Sequence, residues 1–419
     1  MNARELHEAI LNRRGFFKTT GAGFAAAGMA MGGQTPAAAP AVSDDFPRSS
    51  NPAARELTQK EKLDRIASNS WPIRDIFKTA RPSQNQQTVA MKQKYGEITM
   101  LDFPDFTKST FPGVWHMDIF SGLFGDVTDA TMFLPAPAGR GGAGRGPAGT
   151  TMPVTPGAAG AAGGAGGAAA GGQATAGQGA GGGPRMGDFD PTTASAKKWL
   201  DKMASKLVTS GTRVQHISNN APTNLCVDDV ELRKHGVQVA KNWMDAAGIL
   251  GSKSMRVNTG GPTVAPTPVP RAADGYPKND ELARLLTNAI DSFKEIAEYG
   301  EKVGAKVTLE NHWGLTANPI NIQIIIDEVH SPFCEASPDF FNWEHEYLCY
   351  HALAALAPYA KTNVHAKYWN RWATCDVQRC VRIMESARFL GTYALEYEDG
   401  PWDRVEGAKY LYKEVLAAL

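Results

Sequence analysis

Lys306-Val307-Thr308-Leu309-Glu310-Asn311-His312 is the stretch on which the fold turns. Its first four residues, with β-branched Val307 and Thr308 at the centre, read as a short strand. That strand breaks off into a carboxylate, an amide and an imidazole. Just before it, Leu282, Leu285, Leu286, Ala289, Ile290, Phe293, Ile296 and Ala297 recur at helical spacing. They predict an amphipathic helix over 279–300, with Asn279 or Asp280 as its N-cap. Helix, strand and polar tip form one unit, and the unit repeats. Strand-like runs stand at 65–68, 114–120, 213–217, 254–257, 307–310, 333–339, 363–366 and 393–396. Eight strands, each followed by a helix, predict an α/β chain of the (β/α)8 TIM-barrel class, with its chemistry at the C-terminal strand ends. The rival, an open doubly wound sheet, would want a glycine-rich nucleotide fingerprint after the first strand, and none is there.

Four of the later strand ends carry metal-ligating side chains: Glu310 after the fifth, Asp339 after the sixth, His365 in the seventh and Glu396 in the eighth. Their separations of 29, 26 and 31 residues are each about one strand–helix unit. A closed barrel therefore brings all four to one rim. A lone strand-end Asp is usually a helix cap, and a lone His usually a hydrogen-bonded core residue; four at successive strand ends point to a site. Three carboxylates and one imidazole suit one divalent ion, Mn²⁺ foremost, with Mg²⁺, Co²⁺ or Zn²⁺ as alternatives.

The motifs around these residues extend the reading. Val307-Thr308-Leu309-Glu310-Asn311-His312-Trp313-Gly314-Leu315-Thr316, Ser337-Pro338-Asp339-Phe340-Phe341-Asn342, Val364-His365-Ala366-Lys367 and Leu395-Glu396-Tyr397-Glu398 resemble the sugar phosphate isomerase/epimerase family, the xylose-isomerase-like barrels. Trp243-Met244-Asp245-Ala246-Ala247 and Arg256-Val257-Asn258-Thr259-Gly260-Gly261 fit the same resemblance. In the family's ketose 3-epimerases a Glu-Asp-His-Glu quartet binds the metal and its two Glu residues exchange protons with the substrate. The resemblance thus implies Glu310 and Glu396 as catalytic residues, with Asp339 and His365 as ligands alone. The chain departs from the epimerase pattern at Asn342, where they have His, and at Thr316, where they have Glu, but keeps their Arg as Arg371. The metal chemistry therefore transfers more directly than the sugar specificity.

Other polar residues near the strand ends are candidates for sugar hydroxyls: His216 and Asn219 after the third strand, Arg256 and Asn258 after the fourth, then His312, Asn342, Lys367 and Arg371. Lys367 is placed to hold an oxyanion, and Asp118 to orient a ligand. Trp313, Trp343 and Trp369 are candidates for stacking on a sugar ring. A divalent ion held across a carbonyl and a neighbouring hydroxyl acidifies the C–H between them. A carboxylate can then remove that proton. The leading expectation is a sugar isomerase or epimerase. A lyase or hydratase acting on 3-keto-glycosides is the alternative, and a non-catalytic sugar-binding barrel the third reading.

Composition limits the partners. The 419 residues carry 43 basic and 43 acidic side chains, an even balance that disfavours a nucleic-acid binder. Five cysteines, 226, 334, 349, 375 and 380, form no CxxC pair and support neither a zinc knuckle nor a dense disulfide framework. Cys375 and Cys380 could pair after export, though free buried thiols are the plainer expectation. Arg13-Arg14-Gly15-Phe16-Phe17-Lys18, a short Ala/Gly-rich run and Ala37-Ala38-Ala39 read as a secretory signal of the twin-arginine type. Residues 1–39 are then a signal peptide for the twin-arginine machinery, and the mature protein is periplasmic or otherwise exported. Residues 40–61 read as a linker and 62–419 as the barrel. Within it, 139–184 form a Gly/Ala-rich insert too poor in large apolar residues to fold, expected to be disordered. No stretch suits stable membrane insertion, and a homo-oligomer is left open.

Overall fold

The computed structural model describes residues 56–134, 188–261 and 279–419, except Trp313, Glu344 and Thr374. The signal read at 1–39 and the insert at 139–184 lie outside the described residues. So does most of the linker; its described end, 56–61, runs into a short helix, Gln59–Leu63, held by a Thr58–Glu61 capping box.

Every expected strand is present: β1 Ile66–Asn69, β2 His116–Phe120, β3 Arg213–Ser218, β4 Ser254–Arg256, β5 Lys306–Leu309, β6 Cys334–Ala336, β7 Asn363–Trp369 and β8 Thr392–Asp399. All pair in parallel, in the order β6-β5-β4-β3-β2-β1-β8-β7. Parallel bridges between Ala336 and Ala360 and between Asp339 and His365 join the two outer strands and curl the sheet into a TIM barrel. The sixth strand is shorter than 333–339 because Pro338 has no N–H for the ladder. Its carbonyl instead accepts the His365 N–H at 3.1 Å, while the Phe340 N–H donates to the His365 carbonyl at 3.1 Å. Asp339 is thereby placed beside His365.

Helices cover the outside. The helix expected over 279–300 spans Asn279–Val303, so Asn279 and Asp280 are its first two residues rather than its cap. Its Phe293, Ile296 and Ala297 are fully buried against the barrel. Elsewhere the capping chemistry is explicit. Thr193, Asp229, Asn318, Asp376 and Asp403 each accept a backbone N–H at the start of a helix. Gly211 and Gly251 end two of them with φ of 70° and 64°, a left-handed turn that costs other residues more. All five cysteines are free, so Cys375 and Cys380 are not bonded. Among the described residues no helix is long and apolar enough to cross a membrane.

The described chain on either side of the insert is pinned together. Phe133 and Phe189 form an antiparallel bridge, with the Leu134 N–H donating to Asp188 at 2.9 Å and the Asp190 N–H to Met132 at 2.9 Å. Phe189 packs on Phe124, Trp199 and Trp243 with ring centroids 5.5 to 5.8 Å apart. Since the barrel side of the junction is self-sufficient, deleting residues 141–182 is expected to leave the melting temperature within a few degrees of wild type. A fall of more than about 10 °C in a thermal melt would contradict this.

Candidate metal centre

Glu310, Asp339, His365 and Glu396 meet at the C-terminal end of the barrel. His365 Nδ1 lies 3.0 Å from Glu396 Oε2, 3.3 Å from Glu310 Oε2 and 3.9 Å from Asp339 Oδ2. All four side chains are buried, and His365 Nδ1 makes no well-directed hydrogen bond. Donor atoms about 2.0–2.2 Å from a common ion sit about 3 Å or more from one another. A divalent ion therefore fits these residues, and the buried, unsatisfied imidazole nitrogen gives it a ligand.

Behind the quartet, His365 Nε2 faces Asp118 Oδ2 at 2.9 Å. Asp118 is itself fixed by donors from Ser218 Oγ at 2.8 Å and Asn363 Nδ2 at 3.0 Å. This is a carboxylate–histidine pair of the kind that fixes the ring of a metal ligand. Asp339 is held from the other side. Its Oδ1 accepts the N–H groups of Phe341 and Asn342 at 2.9 and 3.0 Å, and its own N–H donates to Asn311 Oδ1 at 2.7 Å.

Charge is concentrated here. Burial alone would raise the Glu310 carboxyl, but Arg256 and His365 outweigh it and hold it well below the usual range. Burial pushes Asp339 up to about 7, opposed by Lys367. His365 and Lys367 both resist the pull of burial, because the carboxylates around them raise each well above its ordinary value. Lys367 Nζ lies 2.9 Å from Asp339 Oδ2, 3.1 Å from Glu396 Oε1 and 3.7 Å from Glu398 Oε2.

The remaining candidates divide. Arg256 ion-pairs with Glu310 and also donates to the Asn219 carbonyl at 3.1 Å. It thus serves a quartet member, where the sequence placed it on a sugar. Asn219 donates to the Ala221 carbonyl at 2.5 Å and accepts from Ser121 at 2.8 Å, while Asn258 donates to the Asn220 carbonyl at 3.2 Å. Both side chains tie loops together at the strand ends. His216 stands two residues before the end of β3, its ring 5.9 Å from that of His365. Its Nδ1 meets Ser254 Oγ at 2.8 Å, and burial lowers it to about 4. His312, beyond β5, is likewise held neutral by burial, at about 3. Asn342 keeps a buried Nδ2 with no hydrogen-bond partner among the described residues. Arg371 is exposed, its guanidinium over Trp369 and Trp372 at 5.1 and 4.5 Å from the ring centroids. Trp343 is buried, donating to the Phe340 carbonyl at 3.1 Å, and so packs rather than stacks on a ligand; Trp369 is half-buried, and Trp313 lies outside the described residues.

Two contacts from the first strand and the turn after it reach Glu396 and its neighbour Glu398. Asn69, the last residue of β1, donates to Glu396 Oε2 at 3.3 Å. Trp71 Nε1 donates to Glu398 Oε2 at 3.0 Å, with Arg74 stacked 3.9 Å from the Trp71 ring. The strand-end rule that found the quartet also singles out Asn69.

Residues 181–414 match the family described as xylose isomerase-like TIM barrel. Similar solved structures include an L-ribulose 3-epimerase (14% identity, 55% of this chain and 82% of that one, TM-score 0.44). A D-allulose 3-epimerase from Methylomonas sp. is 14% identical over 52% of this chain and 82% of that one, with a TM-score of 0.42. The 3-keto-D-glucoside 4-epimerase YcjR from E. coli is 16% identical over 51% and 84%, with a TM-score of 0.40. No curated protein sequence matches the chain. With more than half of its length matched, the chain belongs to the xylose isomerase-like TIM barrel family.

Proposed function

We propose that the protein is an exported, divalent-metal-dependent sugar isomerase or epimerase that removes a proton beside a carbonyl and passes through an enediolate. The observation that carries this reading is the quartet, three carboxylate oxygens within 3.0 to 3.9 Å of His365 Nδ1 at the chemistry-bearing end of the barrel. The ion it would hold, Mn²⁺ or a similar cation, supplies the charge that acidifies the C–H next to a carbonyl. Glu396 and Glu310 are the proton-transferring groups, reaching the substrate from strands three apart. Arg256 keeps Glu310 ionised and in place. Lys367 holds Asp339 and Glu396, and Asn342, with its unused amide N–H, is offered to a sugar hydroxyl. Return of the proton to the same carbon epimerises it; return to the neighbouring carbon interconverts ketose and aldose.

Support for a metal role also predicts the effect of losing its outer shell. Asp118→Ala frees the His365 ring, and Mn²⁺ affinity is expected to fall about 10–100-fold, read by titration calorimetry. Unchanged affinity would reduce Asp118 to a packing residue.

The reaction is tested by incubating the Mn²⁺-loaded protein with free ketoses and, separately, with 3-keto-glycosides. An epimer or aldose from the first panel supports the proposal. Elimination products from the second alone would replace it with a lyase. Export by the twin-arginine route rests on Arg13-Arg14 and the small-residue run to Ala39. Intact-mass analysis of protein from the periplasm should then show the chain beginning near residue 40, and Arg13→Lys with Arg14→Lys should keep it in the cytoplasm.

A further inference from the structure

Lys367 lies two residues after His365 on β7, and residues so spaced in a strand face the same side. Its side chain is 5% exposed and its ammonium sits among three carboxylates, Asp339, Glu396 and Glu398, within 2.9 to 3.7 Å. Glu396 is divided between two nitrogens. Oε2 faces His365 Nδ1 at 3.0 Å, and Oε1 faces Lys367 Nζ at 3.1 Å. Asp339 Oδ2 lies between them, 2.9 Å from Lys367 and 3.9 Å from His365. Two carboxylates shared between two cation positions is the donor pattern of a paired-cation site. Glu398, the third partner, is fixed by Trp71 Nε1 at 3.0 Å and by Arg74 at 3.8 Å.

We propose that Lys367 is a built-in cation standing where a second divalent ion would otherwise bind, so that the centre takes one metal ion and no more. This inference rests on the quartet being a metal site. The charge count agrees with it. Four buried carboxylates, Asp118, Glu310, Asp339 and Glu396, and the half-buried Glu398 face three fixed cations, Arg74, Arg256 and Lys367. One divalent ion matches that excess of two negative charges, and a second ion alongside Lys367 would exceed it. Removing Lys367 leaves three carboxylates converging on an uncompensated space, which divalent cations favour. The ammonium, ion-paired with Asp339 and Glu396, keeps both in position whatever the supply of metal. Lys367 is in this sense a positioning residue for the quartet.

Metal-stripped wild type and Lys367→Met are titrated with Mn²⁺, desalted and measured by elemental analysis and electron paramagnetic resonance. Wild type is expected to retain one equivalent with the spectrum of an isolated ion. Lys367→Met is expected to retain two, with the coupled spectrum of neighbouring ions, and if it folds only with Mn²⁺ present its bound metal is read in the same way. Lys367→Arg keeps the charge and should retain one. A single equivalent in Lys367→Met, or two in wild type or in Lys367→Arg, overturns the inference while leaving the quartet intact. No metal in wild type overturns the quartet itself.

Discussion

Glu396→Gln is expected to lower turnover by about 10²–10⁴-fold, the usual cost of losing a general base. The substitution preserves shape, and the amide oxygen can still face His365, but an amide cannot carry a proton away from carbon. Glu396 approaches the mouth of the site with 9% of its side chain exposed. It also has neutral support from Asn69. The folded state should tolerate the change, and Mn²⁺ affinity should fall less than turnover does. Glu310→Gln should cost similar turnover and, in addition, stability. Arg256 is buried against Glu310, and removing one partner of such a pair costs about 3–5 kcal/mol. Steady-state kinetics and thermal melts on both variants separate the two effects. Full turnover in Glu396→Gln would leave that residue a ligand only.

His365→Ala should lose metal and activity together. This side chain is the only non-carboxylate member of the quartet, is fully buried, and contacts every other member as well as Asp118. Without it, Asp118 and the quartet carboxylates retain their charges and lose the group that lies between them. In wild type, Mn²⁺ at 100 times its dissociation constant should stabilise the fold by about 2.7 kcal/mol, visible as a raised melting temperature. In His365→Ala that rise should vanish. A rise of wild-type size would show that the metal is held elsewhere.

The strands and the quartet were legible in the sequence for the same reason. Short β-branched runs that stop at a polar residue mark strand ends, and in a barrel strand ends converge whatever the loops do. Glu310 and Asp339 could be read from position alone. What position does not contain is side-chain direction. Arg256 and Asn258 look equivalent as polar residues at the end of β4, yet one turns onto Glu310 and the other onto a backbone carbonyl. Trp343 reads as a rim aromatic, but the turn that fixes Asp339 carries it inward onto the Phe340 carbonyl. His216 reads as a sugar ligand, and it lies behind the quartet with its ring 5.9 Å from that of His365 and its Nδ1 on Ser254 Oγ. Asn69 closes β1 at the same kind of strand end, but a neutral amide does not by its type mark a partner of Glu396. The partners of Glu398 were hidden for another reason. Trp71 and Arg74 are more than 320 residues away along the chain, brought to it only by the pairing of β1 with β8.

The central claim is proton abstraction beside a carbonyl by Glu310 and Glu396 at a single divalent-metal centre. Its most direct test is exchange with solvent: Mn²⁺-loaded protein and an accepted keto-sugar in deuterated water, followed by NMR. The account predicts deuterium at the carbon beside the carbonyl, appearing with turnover and strongly slowed in Glu310→Gln and Glu396→Gln. Product formed at full rate with no deuterium at that carbon would contradict it.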